Sequence, residues 1–368
     1  MDSRSFTGPE GQLAGTPGAT PPKISTAQAI KHWLRRLEST HPQAAHEFRA
    51  GPVCVGVSGG ADSLALLYST IGVLNRVAAS SGGAEVHALI VNHRLQAGSA
   101  DVARRAAAQA EQMGARAHVL TVDVDGTGEA DARHARYQAL GRAACGHPLL
   151  IAHTASDDAE GLLLSLARGS GADSLAGMRA ISLDHPAVSA GAAWVGRPLL
   201  QADRRATEAT CHHANIEFWT DPHNSDPRFL RSRIRTEILP HLEATLGPGL
   251  GEGLARSAAL LREDAEFLDA TATAVLHRVR TPEGTIRCEE LSREMASIRK
   301  RVIKKWLEPH TGAVTSAHLG AVDALVSEWT GQGPVSVPWH TMNGCRRSHR
   351  LVVRRQAGLL ALDVLKRE

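Results

Sequence analysis

A run of small and apolar residues near position 55 constrains this chain most. Val53 to Val57 reads VCVGV, a partly β-branched stretch of the kind that forms a buried parallel strand. Ser58-Gly59-Gly60 then predicts a tight turn, because glycine adopts backbone angles that other residues avoid. From Asp62 onward, leucines recur at helical spacing. A strand, a glycine turn and a helix start direct backbone N–H groups toward one place, which favours a bound phosphate.

The residue types in the turn refine this hypothesis. The candidate phosphate-binding residues are Ser58, Gly59, Gly60, Ala61, Asp62 and Ser63. The Walker sequence G-x-x-x-x-G-K-[ST] is absent from the turn. The carboxylate of Asp62 would repel a phosphate unless Mg²⁺ lay between them, so the turn predicts a metal ion as well. The alternative is that the glycines merely permit a strand-to-helix connection.

Length and composition set the broad class. The 368 residues are enough for two or three domains, and 43% hydrophobic with 21% charged residues are typical of a soluble globular protein. Neither a membrane span nor a signal peptide is evident, so no membrane partner is expected. The five scattered cysteines form no C-x-x-C pair, which favours a reduced, cytoplasmic setting. Composition does not decide the oligomeric state, and a homodimer stays a candidate.

Lysine is nearly missing from the chain. None occurs between Lys31 and Lys300. Charge on a phosphate bound in that stretch must therefore be balanced by arginine, backbone amides or a metal ion. Arginine is abundant beside much alanine and glycine, a bias typical of genome base composition, so a single arginine carries little weight.

Strands and helices alternate after the glycine turn. Apolar runs at 85–91, 116–124 and 148–152 predict strands, and 100–113, 129–145 and 157–167 predict helices. This alternation indicates an α/β fold with a doubly wound parallel sheet. Ligands bind such sheets beyond the carboxyl ends of the strands. The Ser58 turn, His93 and His153 each follow a predicted strand, so we expect them to share one cleft.

The alternation stops near position 220. Residues 1–24 are rich in Gly, Pro, Ser and Thr and are predicted to be disordered. Residues 25–225 are expected to form the α/β domain, residues 226–330 a mostly helical second domain, and residues 331–368 a small β-rich tail. The helical domain is predicted from the segments 231–242, 250–279, 295–307 and 318–328.

An acidic cluster follows the predicted strand at 148–152. Asp157 and Glu160 are three positions apart, so one face of a helix can carry both carboxylates. Opposite a phosphate loop, this pair could support a metal ion or bind an amine substrate. The alternative is a helix start whose acidic residues complement the helix dipole.

Two groups of arginines are candidates for phosphate contact. Arg133 and Arg136 share one face of the predicted helix at 129–145, where a solvated face is the alternative. The second group lies in RFLRSRIR, where an aromatic residue accompanies the arginines as in many RNA-backbone contacts. Its members are Arg228, Arg231, Arg233 and Arg235. The general surplus of arginine is the competing explanation.

In this order and spacing, the motifs resemble those of the PP-loop ATP pyrophosphatases, and among them the tRNA(Ile)-lysidine synthases. The matching strings lie between Val53 and Leu242: VGVSGGADS, VNHRLQ, ARHARYQAL, LLIAHTASDDAEGLLLSLARGSG, GRPLL and DPHNSDPRFLRSRIRTEILPHL. The chain departs from the family pattern at Asn92, Thr154 and Ser156, where the family has Asp, His and Asp. These departures place any role of Asn92 or Ser156 in doubt.

The resemblance implies a ligase that forms a carbon–nitrogen bond. Such enzymes use ATP and Mg²⁺ to adenylate the wobble cytidine, position 34, of tRNA(Ile) with a CAU anticodon. The ε-amine of free lysine then displaces AMP to give lysidine. By resemblance the residues from Ser58 to Ser63 bind ATP, and the two arginine groups bind tRNA. The same resemblance makes Asp62, Asp157 and Glu160 catalytic and gives metal binding to Asp62 and Asp157; whether Asp157 and Glu160 bind metal or lysine stays open.

Two other functions fit parts of the pattern. Another PP-loop tRNA-modifying enzyme, such as a 2-thiolation enzyme, would often carry sulfur on paired cysteines, and none are paired here. A nucleotide-binding sensor without chemistry would need the loop. It would not need the Asp157/Glu160 pair or the arginine-rich segment.

Overall fold

The computed structural model describes residues 24–77, 85–92, 98–122, 129–169, 171–221, 228, 230–339 and 349–366. The chain divides into two compact units. The first comprises Met1–Ser170 and Gly177–Ala258, and the second comprises Gly171–Ala176 and Ala259–Glu368. His93 and residues 1–23 of the predicted disordered segment lie outside the described residues.

The first unit is built on one mixed sheet. Its strands are β1 (Val53–Val57), β2 (Val86–Asn92), β3 (Arg116–Thr121), β4 (Leu149–Leu150), β5 (Ile181–Ser182) and β6 (Val195–Gly196), in the order β3-β2-β1-β4-β6-β5. All neighbours pair in parallel except β5 and β6. The predicted α/β fold with a doubly wound parallel sheet is confirmed.

The helices of this unit follow the predicted alternation. They are α1 (Thr26–Thr40), α2 (Pro42–Ala50), α3 (Ala61–Val77), α4 (Ser99–Gln112), α5 (Glu129–Ala144), α6 (Ala155–Ala167), α8 (Pro186–Ser189), α9 (Arg204–His213), α10 (Leu230–Arg233) and α11 (Leu239–Leu246), with α7 (Ala172–Leu175) assigned to the second unit. A π-helical turn, Ile234–Ile238, separates α10 from α11. No helix in the described ranges is both long and apolar enough to cross a membrane.

The N-terminal helix closes one side of the core. Ser25 caps α1, and its side chain accepts a hydrogen bond from the backbone of Gln28. The apolar face of this helix, which includes Ile30, Leu34 and Leu37, is buried. Trp33 on that face packs edge-on against Phe48, with ring centroids 5.4 Å apart. The same helix carries Lys31, the last lysine before Lys300.

The strand order reverses beside β1. β1 has β2 on one side and β4 on the other, and β4 follows β1 in the sheet although two strands separate them in sequence. Val55 is paired with Leu150, so the residues that follow β1 and β4 emerge at the same edge. Such a reversal point is where open α/β sheets bind their ligands.

The second unit has its own core and sheet. After α12 (Leu250–Val279) it contains β7 (Ile286–Arg287), α13 (Cys288–Ser292), α14 (Ala296–Leu307), α15 (Ser316–Ser327), β8 (Val335–Val337), β9 (His349–Gln356) and β10 (Leu359–Lys366). The antiparallel sheet has the order β7-β10-β9-β8. Apolar residues of the strands and helices form one cluster.

These units differ from the predicted segments 25–225, 226–330 and 331–368. The continuous helix α12 carries the chain from one unit into the other, so the division falls between Ala258 and Ala259. The strands after 331 share their core with α13, α14 and α15 and do not stand apart as a tail. The sequence pattern predicted α12, α14, α15 and a β-rich tail, whereas α13, β7 and the pairing of β7 with β10 were not predicted.

Two helical glycines give a test of the packing. At Gly141 on α5, an added Cβ would overlap the Ala187 carbonyl and lie 2.8 Å from Ala190 Cβ, whereas at Gly72 on α3 it would meet nothing within 4 Å. We expect Gly141→Ala to lower the free energy of unfolding by about 1–3 kcal/mol. Gly72→Ala should raise it by about 0.5–1 kcal/mol, since alanine favours a helix. Urea unfolding measures both, and equal effects would contradict this packing.

Candidate active site

The predicted glycine turn lies at the reversal point of the sheet. Ser58, Gly59 and Gly60 connect β1 to α3, and Gly59 has a φ of +83°, which explains the glycine. A Cβ there would also lie 3.4 Å from Val102 Cγ1 on α4. The Gly59 carbonyl accepts a hydrogen bond of 2.9 Å from the Trp219 backbone, which fixes the far side of the turn.

Two serine hydroxyls shape the inside of the turn. Ser63 Oγ accepts from the Ser58 backbone N–H at 3.1 Å and donates to the Gly60 carbonyl at 2.9 Å. Ser58 Oγ lies 3.2 Å from Ser63 Oγ. The turn therefore holds its shape through its own side chains. The start of α3 directs its dipole at the same point, which favours an anion there.

Asp62 points from the first turn of α3 toward α9. Its Oδ1 accepts from Thr207 Oγ1 at 2.5 Å, and its Oδ2 lies 3.4 Å from Arg204 Nη2. Burial raises the pKa of Asp62, and the negative charge of Asp157 acts in the same direction, while Arg204 and Thr207 oppose both. The carboxylate of Asp157 is thus close enough to affect the pKa of Asp62, and a metal site shared by the two stays a prediction.

Asp157 lies in the first turn of α6 and stabilises that turn. Its Oδ2 accepts from the backbone N–H of Thr154 at 2.8 Å and from the Thr154 hydroxyl at 2.9 Å. Burial alone would raise the pKa of Asp157, but these two hydrogen bonds and the positive charge of Arg204 lower it. The helix-start role considered from the sequence is therefore present. Oδ1 faces Arg235 Nη2 at 3.6 Å, so one oxygen is directed toward the site.

Glu160 lies one turn further along α6 and is paired with Arg235. Arg235 donates from Nε to Oε1 at 2.6 Å and from Nη2 to Oε2 at 2.9 Å, a bidentate pair. The Glu160 side chain is only 1% exposed. Burial raises its pKa, although Arg235 counteracts that effect. Arg235 lies within the π-helical turn Ile234–Ile238, and such turns frequently mark functional sites.

His153 separates this acidic group from a group of arginines. Its Nδ1 accepts from Arg197 Nε at 3.2 Å, and its Nε2 lies 3.5 Å from Arg133 Nη2. Burial lowers the pKa of His153 to about 3, with Arg197 and Arg133 acting in the same direction, so the ring is neutral at pH 7. Because Nδ1 is the acceptor, Nε2 carries the hydrogen. Two N–H donors, from His153 and Arg133, therefore face each other.

The arginines predicted to contact phosphate occupy different surroundings. Arg133 and Arg136 are half-buried, and their guanidinium groups lie 5.1 and 5.2 Å from the centroid of the Tyr137 ring, so their helix face is not simply solvated. In the second group, Arg228 and Arg233 are exposed and Arg231 is half-buried. Arg235 differs, because its guanidinium is committed to Glu160. Contact with tRNA stays a prediction for the other five.

Three further residues of the site had no individual prediction. Arg197 donates to His153, to the Arg179 carbonyl and to Ser182 Oγ. Arg204 and Thr207 hold Asp62 from α9. The GRPLL string marked the neighbourhood of Arg197. Nothing in the sequence distinguished Arg204 from the many other arginines, or Thr207 from any helical threonine.

The oxygen ligands of the site suit a magnesium ion bound together with phosphate. Across the described ranges, no three His, Cys, Asp or Glu side chains form a metal-binding group. Asp62 and Asp157 supply two neighbouring carboxylates, and Mg²⁺ typically takes one or two carboxylates with substrate phosphates and water completing its shell. The donor set therefore fits the ion that the sequence predicted.

The cysteines offer little for sulfur transfer. Within the described part of the chain, Cys54, Cys145, Cys211 and Cys288 are all free thiols. Burial raises the pKa of Cys54 and of Cys211 to about 11, so both stay protonated and unreactive at neutral pH. This disfavours the 2-thiolation alternative.

Comparison with known proteins extends these observations to both units. The family model of the PP-loop domain matches residues 31–242, and the model of the TilS substrate binding domain matches residues 287–358. The tRNA(Ile)-lysidine synthase of Rhodococcus erythropolis is 43% identical over 93% of this chain and 96% of its own length. The enzyme of the same name from Nocardia farcinica is 44% identical over 89% and 97%, and that from Salinispora tropica 40% over 93% and 97%. The chain belongs to the tRNA(Ile)-lysidine synthase family.

Proposed function

We propose that the site between the Ser58 turn and α6 activates the wobble cytidine of tRNA(Ile) with ATP and joins it to lysine. The chain is a carbon–nitrogen ligase of its family, and the residue roles are our assignment. One observation carries that assignment: a phosphate-type loop and the carboxylates of Asp62, Asp157 and Glu160 meet at the reversal point of the sheet.

In the first step, the residues from Ser58 to Ser63 hold the phosphates of ATP. The oxygen on C2 of cytidine 34 attacks the α-phosphorus, and pyrophosphate departs with the electron pair of the broken bond. The backbone N–H groups at the start of α3 favour the developing negative charge. Asp62 and Asp157 would hold Mg²⁺, which supplies charge neutralisation when bound. Arg204, beside Asp62, adds positive charge at the same place.

In the second step, free lysine attacks C2 and AMP leaves. Lysine carries a carboxylate and two amines, so its site needs groups of both signs. The neighbouring N–H groups of His153 and Arg133 are suited to bind its α-carboxylate, since an oxygen beside both nitrogens could accept from each. Asp157 and Glu160 lie on the adjacent helix and are suited to orient an ammonium group. The Glu160 carboxylate, whose pKa is raised, is our candidate for the proton that the ε-amine must lose.

The tRNA is assigned to two surfaces. Arg228, Arg231 and Arg233 are exposed or half-buried on the segment before α11 and are proposed to contact phosphates. The second unit, which matches a substrate binding domain, is proposed to hold another part of the tRNA. Arg235 is reassigned from RNA contact to positioning Glu160. We place the enzyme in the cytoplasm, and a homodimer stays a hypothesis that ultracentrifugation would test.

Incubation with ATP, Mg²⁺, labelled lysine and tRNA bearing a CAU anticodon tests the function. We expect lysine in the tRNA, with AMP and pyrophosphate released. Asp62→Ala should abolish turnover, because the proposed magnesium site beside the phosphates depends on this carboxylate. The control is Asp101→Ala, at the exposed start of α4. ATP binding without lysine incorporation would overturn the lysidine assignment, and sulfur incorporation would support the thiolation alternative.

The Arg235–Glu160 pair predicts a shift in pH dependence. Burial raises the pKa of Glu160 and Arg235 restrains that rise, so Arg235→Met should raise the pKa further. If ionised Glu160 is required, the acid limb of the pH–kcat profile moves to higher pH, because the lost charge-assisted pair no longer favours the ionised form. Arg233→Met is the control, since Arg233 is exposed and lies 3.9 Å from Glu237. An unchanged acid limb would remove Glu160 from proton transfer.

The proposed binding site for the α-carboxylate of lysine can be tested by replacing lysine with another amine. Cadaverine has the two amines of lysine without the carboxylate. Arg133→Gln should raise the KM for lysine roughly 10- to 100-fold, as expected for a lost hydrogen bond to a charged group, and leave the activity with cadaverine unchanged. Arg136→Gln is the matched control, because the Arg136 guanidinium lies over the same Tyr137 ring. A higher KM for tRNA, with the KM for lysine unaltered, would assign Arg133 to RNA instead.

A further inference from the structure

Arg204 contacts Asp62 through one long hydrogen bond. Its Nη2 lies 3.4 Å from Asp62 Oδ2, beyond the roughly 2.7–3.2 Å of an ordinary N–H···O hydrogen bond. Arg235, by contrast, makes two short hydrogen bonds to Glu160. The side chains of Arg204 and Asp62 are 30% and 23% exposed, so a ligand from solution can reach both. The pair of Arg204 with Asp62 is therefore weak and accessible.

Thr207 holds the other oxygen of Asp62. The Thr207 side chain is fully buried on α9, and its hydroxyl donates to Asp62 Oδ1 at 2.5 Å. Asp62 itself is fixed to the first turn of α3 by its backbone. If Arg204 moved away, Oδ1 would stay in place and Oδ2 would be released for another partner.

The helix that carries Arg204 opposes its positive charge. α9 begins at Arg204, and the N-terminal end of a helix carries a partial positive charge. Arg205 shares this location, but it pairs with Asp203 at 2.6 Å and with Glu252 at 3.0 Å. Attraction to the carboxylates of the site is thus what retains the guanidinium of Arg204 there.

Arg204 acts on all three carboxylates of the site. Burial acts to raise the pKa of Asp62, Asp157 and Glu160, and the positive charge of Arg204 acts to lower the pKa of each. One guanidinium therefore lies within electrostatic reach of the whole acidic group. A magnesium ion held by Asp62 and Asp157 would lie in the same field, and two cations beside one carboxylate repel each other. Arg204 thus competes with the metal ion.

We propose that Arg204 balances the charge of the carboxylates in the ligand-free enzyme and exchanges them for the phosphates of ATP when magnesium binds. This deepens the proposed function and rests on it. The phosphates would arrive at the start of α3, beside Asp62, and a guanidinium can donate two parallel hydrogen bonds to phosphate oxygens. The exchange releases Asp62 Oδ2 for the metal ion while Thr207 keeps Oδ1 in place. Arg204 therefore makes magnesium binding depend on ATP.

Two binding measurements with opposite expected signs test this exchange. Mn²⁺, followed by electron paramagnetic resonance, is the probe for the magnesium site. In the ligand-free enzyme, Arg204→Met should lower the Kd for Mn²⁺ roughly 10- to 100-fold, because the competing partner of a charged hydrogen bond is gone. The same variant should raise the Kd for ATP, measured in EDTA without metal, by a similar factor. A merely structural role of Arg204 would weaken both interactions or neither.

Two further variants complete the design. Arg205→Met removes the same charge from the next residue of α9, where the partners are Asp203 and Glu252, so both Kd values should stay close to wild type. Adding Asp62→Ala to Arg204→Met should abolish the gain in Mn²⁺ affinity, and a gain that persists would place the ion elsewhere and refute the exchange.

An unchanged or higher Kd for Mn²⁺ in Arg204→Met, or an unchanged Kd for ATP, would also refute it. Neither binding measurement uses lysine or tRNA. Failure of the wild-type enzyme to make lysidine would therefore overturn the proposed function separately, without altering these binding results.

Discussion

The burial of three carboxylates at one end of a sheet is the constraint on which the site depends. Moving an ionised carboxylate out of water costs several kcal/mol unless it is paired and hydrogen-bonded. Each of the three is compensated from a different element: Asp62 from α9, Asp157 from the residue before α6, and Glu160 from the segment after α10. The positions of these elements follow from that requirement as much as from apolar packing.

These hydrogen bonds and ion pairs also give the three carboxylates different pKa values. The pKa of Asp157 is lowered, whereas burial keeps the pKa values of Asp62 and Glu160 raised. One group is therefore firmly ionised, and the others are closer to exchanging a proton. The proposed mechanism needs one carboxylate that holds a cation beside the phosphates and another that accepts a proton from an amine, and the two kinds of carboxylate suit these two roles.

The fold could be predicted from the sequence because local residue patterns determine local structure. The apolar spacing of α12 predicted its bounds from Leu250 to Val279, and the glycine turn predicted the loop after β1. The side chains that pair with the three carboxylates could not be predicted in this way. Arg235 was predicted to contact RNA, whereas its guanidinium pairs with Glu160. A helical pattern does not show which long side chain turns inward. Arg204 was missed because arginine is common throughout the chain, and only its place beside Asp62 distinguishes it.

The choice of arginine over lysine also affects selectivity. The C2 atom of an adenylated cytidine is an electrophile, and an uncharged primary amine is the kind of nucleophile that attacks it. The first unit contains only Lys23 and Lys31 in its sequence, and Lys31 lies on the N-terminal helix that closes the core. Guanidinium groups are protonated at neutral pH and do not compete as nucleophiles. A catalytic unit that carries its positive charge on arginine therefore offers an activated substrate few amines of its own, and leaves the reaction to an amine from solution.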